Sequence, residues 1–375
     1  MRLRLGMVGG GEGAFIGAVH RLAARMDDEF TLVAGAFSSD WDNCRRTGAS
    51  LQLAAERCYS DFQQMAQQEA AREDGIQVVA IVTPNHLHAP AATAFLNVGI
   101  DVICDKPLCT SYQDALQLAE TVQRSGRQLI LTHNYSAYPL IREARSRVLA
   151  GELGELRFVE VEYLQEWLAQ PLEHGGNKQA GWRAEPAKAG AGCIGDVGTH
   201  AWQLAQFVCG QLPVTISAEL NSIIPGRRLD DDVRVQMRYA NGARGRLWAS
   251  QVACGHENGL RLRVYGSAGS LEFNQENPNQ LWIRPHAAPA YCLTRGAAAQ
   301  YAENRALARV PAGHPEGYLE GFGQIYREAA QRLRRGPGAA PLLPGIETGL
   351  QGMAFIETAR RSHDAGGQWT ALIVP

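Results

Sequence analysis

Apolar residues fall in two kinds of run along this chain of 375 residues. In the first third the runs are short and continuous: Arg4 to Val8, Phe30 to Phe37, Ile76 to Val82, Asp101 to Cys104 and Gln128 to Thr132. Each reads as a strand buried on both faces. Segments with helical spacing lie between them, over Gly17 to Met26, Trp41 to Gly48, Ala49 to Glu56, His88 to Val98 and Tyr112 to Ser125. Buried strands alternating with helices predict a parallel, doubly wound open sheet with right-handed crossovers.

The pattern changes near residue 134. A helix is predicted from Tyr138 to Ala150, stopped by Gly151, which tolerates a left-handed conformation. Alternating segments follow: Arg157 to Leu164, Thr215 to Ile223, Val233 to Tyr239, Ala243 to Ser250, Leu260 to Tyr265, Gly269 to Phe273 and Leu281 to Arg284. Asn241-Gly242 signals a hairpin between two of them. Alternation means one buried face and one open face, hence an open, largely antiparallel sheet with helices on one side. The expected architecture is α/β: residues 1–134 as a domain with a doubly wound parallel sheet, and residues 135–375 as an α+β domain with the open, largely antiparallel sheet. The weakly patterned stretch from His286 to Pro315 reads as a lid or mobile loop, and Gly175-Gly176-Asn177-Lys178 as another mobile loop.

Composition adds bounds. Hydrophobic residues are 45% and charged ones 20%, as in ordinary globular chains of two domains. The net charge of -2, from 36 basic and 38 acidic residues, argues against a nucleic-acid partner. Arg227-Arg228 and Arg334-Arg335 read as solvated surface. No run approaches the ~18 apolar residues of a membrane span, and the apolar start is too short for a signal peptide. The eight cysteines are scattered with no Cys-x-x-Cys pair, which fits a reducing cytoplasm better than a disulfide framework.

Candidate chemistry begins at Gly9-Gly10-Gly11-Glu12-Gly13-Ala14-Phe15-Ile16-Gly17, which follows a strand and opens a helix. Such a turn lets backbone N–H groups approach a pyrophosphate at a helix N-terminus. Gly9 and Gly11 fit the first two glycine places and Gly17 the third after an insertion, with Phe15 and Ile16 inside the cofactor turn. At the end of the second strand Phe37 stands where an acidic residue would hold a ribose. Ser38 and Ser39 suit a ribose or a 2'-phosphate, Asp40 disfavours the phosphate, and Arg45 and Arg46 favour it. NAD and NADP both remain open, with a lean to NAD. Thr83-Pro84-Asn85 with His88, and Asp105-Lys106-Pro107, follow two further strands at their C-terminal ends, where ligands bind in such sheets.

Lys106 could hold its charge near a developing alkoxide. Asp196 and His200, four residues apart on a helix expected from Asp196 to Val208, share a face. His200 is the natural general base, and Asp196 can orient it or hold a substrate hydroxyl. Asn134, Tyr135, Trp167, Trp182, Arg183 and His314 are candidate substrate contacts, the aromatic faces and the arginine suiting a sugar. His86, His88, His133, Asp196 and His200 show no established metal spacing, so no metal is expected.

The glycine turn, Thr83-Pro84-Asn85 with His88, Asp105-Lys106-Pro107, Trp182-Arg183 and Gly195-Asp196-Val197-Gly198-Thr199-His200 keep one order along nearly the whole chain. In this the chain resembles the Gfo/Idh/MocA oxidoreductases. The family's usual Glu-Lys-Pro is Asp-Lys-Pro here. The resemblance implies a Rossmann domain followed by a mixed α/β domain, a cis bond before Pro107, and Lys106, Asp196 and His200 around the reacting carbinol. It also implies hydride transfer between NAD or NADP and a secondary hydroxyl of a sugar, glycoside or inositol-like polyol. The alternatives are an NAD-dependent glycosidase or lyase that keeps its cofactor, and a non-catalytic nucleotide-binding regulator. The open sheet face leads us to expect a homodimer or homotetramer, as the family also implies.

Overall fold

In a computed structural model of the chain, residues 1–374 are described. Two compact units emerge: Met1–Asn134 with Leu319–Leu350, and Tyr135–Tyr318 with the chain from Gln351 onward. The stretch 319–350, grouped above with the second domain, therefore packs within the first unit.

The first unit is built on five parallel strands, β1 (Leu3–Gly9), β2 (Phe30–Ala36), β3 (Val78–Val82), β4 (Asp101–Cys104) and β5 (Leu129–Leu131), in the order β2-β1-β3-β4-β5. The order reverses between β1 and β3, so the crevice for a ligand lies at the C-terminal ends of those strands. All five residues of β3 are buried, as its unbroken Val-Val-Ala-Ile-Val run requires. The two helical segments expected after β2 are one α-helix, Trp41–Ser50, and a 3-10 turn, Ala55–Arg57. A further helix, Phe62–Ala70, had a readable start. Asp61 accepts a hydrogen bond from the backbone N–H of Gln64 at 2.8 Å, an N-cap with its Asp-x-x-Gln spacing.

Among the described residues the second unit holds nine strands. They are β6 (Leu156–Leu164), β7 (Pro213–Asn221), β8 (Asp232–Tyr239), β9 (Arg244–Ser250), β10 (Gly259–Gly266), β11 (Gly269–Asn274), β12 (Gln280–Pro285), β13 (Tyr291–Thr294) and β14 (Thr370–Ala371). Their order is β13-β12-β11-β10-β6-β9-β8-β7-β14, antiparallel except for the parallel pair β6–β9. Burial decides the register that alternation left open. Val233, Val235, Met237, Tyr239, Leu247 and Ala249 face the core. Helix Thr199–Cys209 packs on that side, and its Trp202 stacks on Phe355 at 4.3 Å between ring centroids. Arg234, Gln236, Arg238 and Arg246 face outward. There Arg246 pairs with Glu160 at 2.5 Å and Arg284 with Glu272 at 3.0 Å, while Arg234 lies over the Trp248 ring.

Both stretches read as mobile carry defined contacts. In the His286–Pro315 stretch, buried Arg295 donates to Asn279 Oδ1 at 2.8 Å and to the carbonyl oxygens of Val310, Pro311 and His314, which pins the chain on both sides. At 175–178, Asn177 caps helix Lys178–Arg183 by accepting from the N–H groups of Gln179 and Ala180. Arg227 is not solvated either: its side chain is 3% exposed, whereas that of Arg228 is 63% exposed. Arg227 sits four residues before Asp231, which holds it at 3.0 Å.

The first unit buries two histidines whose pKa values are pushed well down by burial, His20 to about 4 and His133 to about 3. His20 Nδ1 lies 2.9 Å from the Tyr326 hydroxyl and its ring is wholly enclosed. Both values lie below the ordinary 6.5, so the unfolded chain binds protons that the folded one refuses. Their contribution to stability is full above pH ~6.5 and is lost progressively as pH falls toward the depressed values. The melting temperature is therefore expected to drop between pH 7 and pH 5, and His20→Phe to flatten that slope even where it lowers stability overall. Melting curves across this window check it; an unchanged slope in the variant would remove His20 from the effect.

Candidate functional site

In the first unit the glycine turn is shaped by what cannot fit. Gly9 and Gly10 have φ of 82° and 75°. A Cβ on Gly9 would stand 2.8 Å from Val82 O, and one on Gly10 would stand 2.8 Å from Gly17 Cα. Gly17 thus lets helix Phe15–Met26 come down on the end of β1, the task of a third glycine. Gly11 turns inward, its N–H donating to Phe37 O at 3.1 Å, while Gly13 faces open space. Ala14 at the N-cap supplies no side-chain hydrogen bond, so the first N–H groups, including those of Phe15 and Ile16, are left for an anion. The cradle fits a dinucleotide pyrophosphate.

Phe37 turns into the core, packed over Gly35, because Gly35 carries no side chain that would block its ring: a Cβ there would collide with the ring. Asp40 is spent as a helix cap, accepting from the N–H groups of Asp42 and Asn43. Its own N–H donates to Ser38 Oγ at 3.1 Å, and Ser39 is exposed beside it. Arg45 pairs with Asp42 at 2.9 Å and Arg46 with Glu12 at 3.1 Å.

Thr83, Pro84 and Asn85 lead off β3 into a 3-10 turn, with Asn85 buried. His88 is also buried. Its Nδ1 lies 2.7 Å from Pro107 O and its Nε2 lies 2.9 Å from Thr83 O, so it ties the segments after β3 and β4 together rather than lining a surface. Burial lowers its pKa. The Lys106–Pro107 bond is cis. Asp105 Oδ1 accepts from the Lys106 N–H at 2.9 Å and from Thr132 Oγ1 at 2.8 Å. A side chain this short folds back onto the next N–H and still reaches the end of β5. Asn134, just beyond β5, is 1% exposed.

In the second unit Asp196 does not cap a helix. It lies within a π-helical turn, Ile194–Gly198, that runs into helix Thr199–Cys209. Such turns recur at functional sites. Asp196 Oδ2 accepts from Gln251 Nε2 at 2.8 Å and from Arg183 Nε at 3.2 Å. The Arg183 guanidinium lies 4.2 Å from the Trp182 ring centroid and 5.8 Å from that of Trp167, so it covers faces that the sequence offered to a sugar. His200 is 8% exposed, and the Tyr135 ring meets it edge-on at 4.8 Å. His314 lies on an exposed bend, and the Tyr318 ring lies 6.3 Å from that of Tyr135. Gln251, Tyr163 and Asn258 belong to this cluster and escaped the sequence reading. Nothing local marks them, since each looks like an ordinary residue of a strand or its edge. Among the described residues no cluster of three or more His, Cys, Asp or Glu could hold a metal ion, and no helix is long and apolar enough to cross a membrane.

The oxidoreductase family model with an NAD-binding Rossmann fold matches residues 3–133, and the GFO/IDH/MocA C-terminal domain matches residues 141–272. An uncharacterized oxidoreductase of Bacillus subtilis (strain 168) is 32% identical, covering 98% of this chain and 96% of its own. The chain belongs to the Gfo/Idh/MocA oxidoreductase family. An oxidoreductase structure from Sinorhizobium meliloti is 46% identical, with 98% and 99% of the two chains covered and a TM-score of 0.90. An inositol dehydrogenase homolog from Azotobacter vinelandii, solved with NADH and myo-inositol, is 36% identical, with 99% and 98% covered and a TM-score of 0.92. As a member of the Gfo/Idh/MocA family, this protein is an NAD(P)-dependent oxidoreductase that transfers a hydride to or from a hydroxyl-bearing carbon of a sugar or polyol.

Proposed function

We propose that the protein oxidises a secondary hydroxyl of an uncharged cyclic polyol, inositol-like in its array of hydroxyls. The observation that carries this reading is the set of neutral hydrogen-bonding groups around His200, with the carboxylate of Asp196 paired to Arg183. The Azotobacter vinelandii homolog holds myo-inositol, which supports the same class. His200 takes the hydroxyl proton. Asp196, held by Arg183 and Gln251, orients substrate or imidazole, and Lys106 steadies the negative charge on the substrate oxygen. When bound, the nicotinamide supplies the hydride acceptor.

Thr83, Pro84, Asn85, Ser38 and Ser39 serve the cofactor. We favour NAD, because Arg45 and Arg46 are each engaged by a carboxylate and Asp40 places negative charge beside the ribose end of the turn. Cytoplasmic location is part of the same reading. So is a homodimer or homotetramer through the outward face of the nine-stranded sheet. That face mixes both signs of charge with exposed Phe158 and Trp282, which suits a two-fold contact with a second copy.

Screening inositols and free sugars for reduction of NAD tests the reading. NADH accumulating with substrate supports a dehydrogenase, while turnover without NADH release would establish a retained cofactor instead. His200→Ala and Lys106→Ala should each lower turnover at least about 10²-fold with nucleotide binding intact. Near-normal turnover in either variant removes that residue from the chemistry. NAD(H) should bind at least as tightly as NADP(H) at low salt; a ten-fold preference for NADP, about 1.4 kcal/mol, would overturn the choice. Light scattering at micromolar concentration should report more than one copy, and a monomer mass would remove the sheet contact.

A further inference from the structure

Behind His200 three side chains from separate parts of the second unit close a ring of hydrogen bonds. Tyr135 lies on the 3-10 turn Asn134–Ala137, Tyr163 near the end of β6, and Asn258 just before β10. Tyr163 donates its single O–H to Asn258 Oδ1 at 2.7 Å. Its contact with the Tyr135 hydroxyl, also 2.7 Å, must therefore be donated by Tyr135. Asn258 Nδ2 completes the circuit by donating to Tyr135 Oη at 3.4 Å. Every bond runs the same way round, the arrangement in which each bond polarises the next. Outer contacts fix the ring in turn. Asn258 donates to Gln275 Oε1 at 3.0 Å, accepts from Gln165 Nε2 at 2.8 Å, and its N–H donates to Glu276 at 3.1 Å.

The ring spends both phenolic protons, so neither tyrosine has an O–H left to give a substrate. What it delivers is a surface. The Tyr135 ring meets the His200 imidazole at 4.8 Å and 69°, and the Tyr163 ring meets it at 6.1 Å and 59°. Two aromatic walls at these angles leave the imidazole little freedom about its side-chain torsions. Burial pushes both phenols above their usual range, so they stay neutral and do not compete for a proton.

We propose that Tyr163 and Asn258 are positioning residues for the reaction, acting through Tyr135 to hold the His200 ring in the orientation that accepts the substrate proton. The proposal rests on His200 as the base. Its test is steady-state kinetics on the intact enzyme with the best polyol found, across pH, for Tyr163→Phe, Asn258→Ala and the double variant. Tyr163→Phe keeps the ring's bulk and removes one hydroxyl. The expected result is a fall in kcat of about ten-fold in each single variant, with KM for NAD within about two-fold. The acid limb of the kcat/KM profile should shift, and the double variant should be no worse than the poorer single one, because either change already opens the ring. Binding of NADH and the melting temperature are measured on the same samples; if Asn258→Ala does not fold, Tyr163→Phe alone carries the kcat and pH tests. Turnover within two-fold of the parent, an unmoved acid limb, or effects that simply multiply in the double variant would overturn the proposal. His200→Ala separates the two readings. If that variant keeps its turnover, the base assignment fails; if it is dead while Tyr163→Phe is unaffected, only the ring fails.

Discussion

Three consecutive carboxylates, Asp230, Asp231 and Asp232, organise the second unit, and each holds a different element. Asp230 accepts from the N–H groups of Gly192 at 3.1 Å and Ile194 at 2.7 Å, where the chain enters the π-helical turn that carries Asp196. Asp231 is 1% exposed and accepts from the N–H groups of Ile223 and Ile224 as well as from Arg227. Asp232 receives the Trp248 indole N–H at 2.9 Å on the outward face. A buried carboxylate persists only when its lone pairs are met by donors, and removing one partner of a buried charged pair costs about 3–5 kcal/mol. The π-turn, the loop after β7 and the sheet face are thus referred to one short stretch of chain.

Arg227 extends that reference to the segment that follows β6. From Asp231 it reaches Glu173 at 2.9 Å and the carbonyl oxygens of Leu168 at 2.9 Å and Gln170 at 3.2 Å. Its hydrogen bonds hold the Glu173 carboxyl below its usual pKa. The segment between β6 and helix Lys178–Arg183 is therefore anchored in its middle, with Trp167 near one end and Trp182 and Arg183 at the other. A guanidinium suits this work because its planar fork serves several acceptors at once, which a lysine ammonium does less well. Asp196 depends on the same frame twice over, through Arg183 on the anchored segment and through Gln251, whose N–H donates to Asp231 O at 2.9 Å.

Much of this fold was readable because burial writes a period into the chain. The unbroken run at β3 and the strict alternation at β8 each gave the strand and what covers it. The glycine turn was readable because steric demand leaves only glycine at Gly9 and Gly10. Side chains whose partners are distant in sequence were not readable. Tyr163 alternates like any inward strand residue, and its partner Asn258 lies beside it only because β6 pairs with β10, Leu260 opposite Tyr163. Arg227 looked like half of a solvated basic pair because its neighbour Arg228 is one. Phe37 occupied the place of an acid for a reason visible only once Gly35 was seen to leave room for its ring.

The two units treat charge in different ways. Around Asp105 and Lys106, burial keeps the neighbouring His20, His88 and His133 neutral, so they contribute no competing positive charge. Around His200, Asp196 is balanced by Arg183, and the two phenols are held neutral in a closed ring. Interactions between charges strengthen as the local dielectric falls, so removing stray charges counts for more here than at a surface. In the second unit the acid is already committed and the phenols have spent their protons within the ring, Tyr135 on Tyr163 and Tyr163 on Asn258. The imidazole of His200 is thus framed by groups whose charges and protons are already committed, with the Tyr135 ring against it at 4.8 Å.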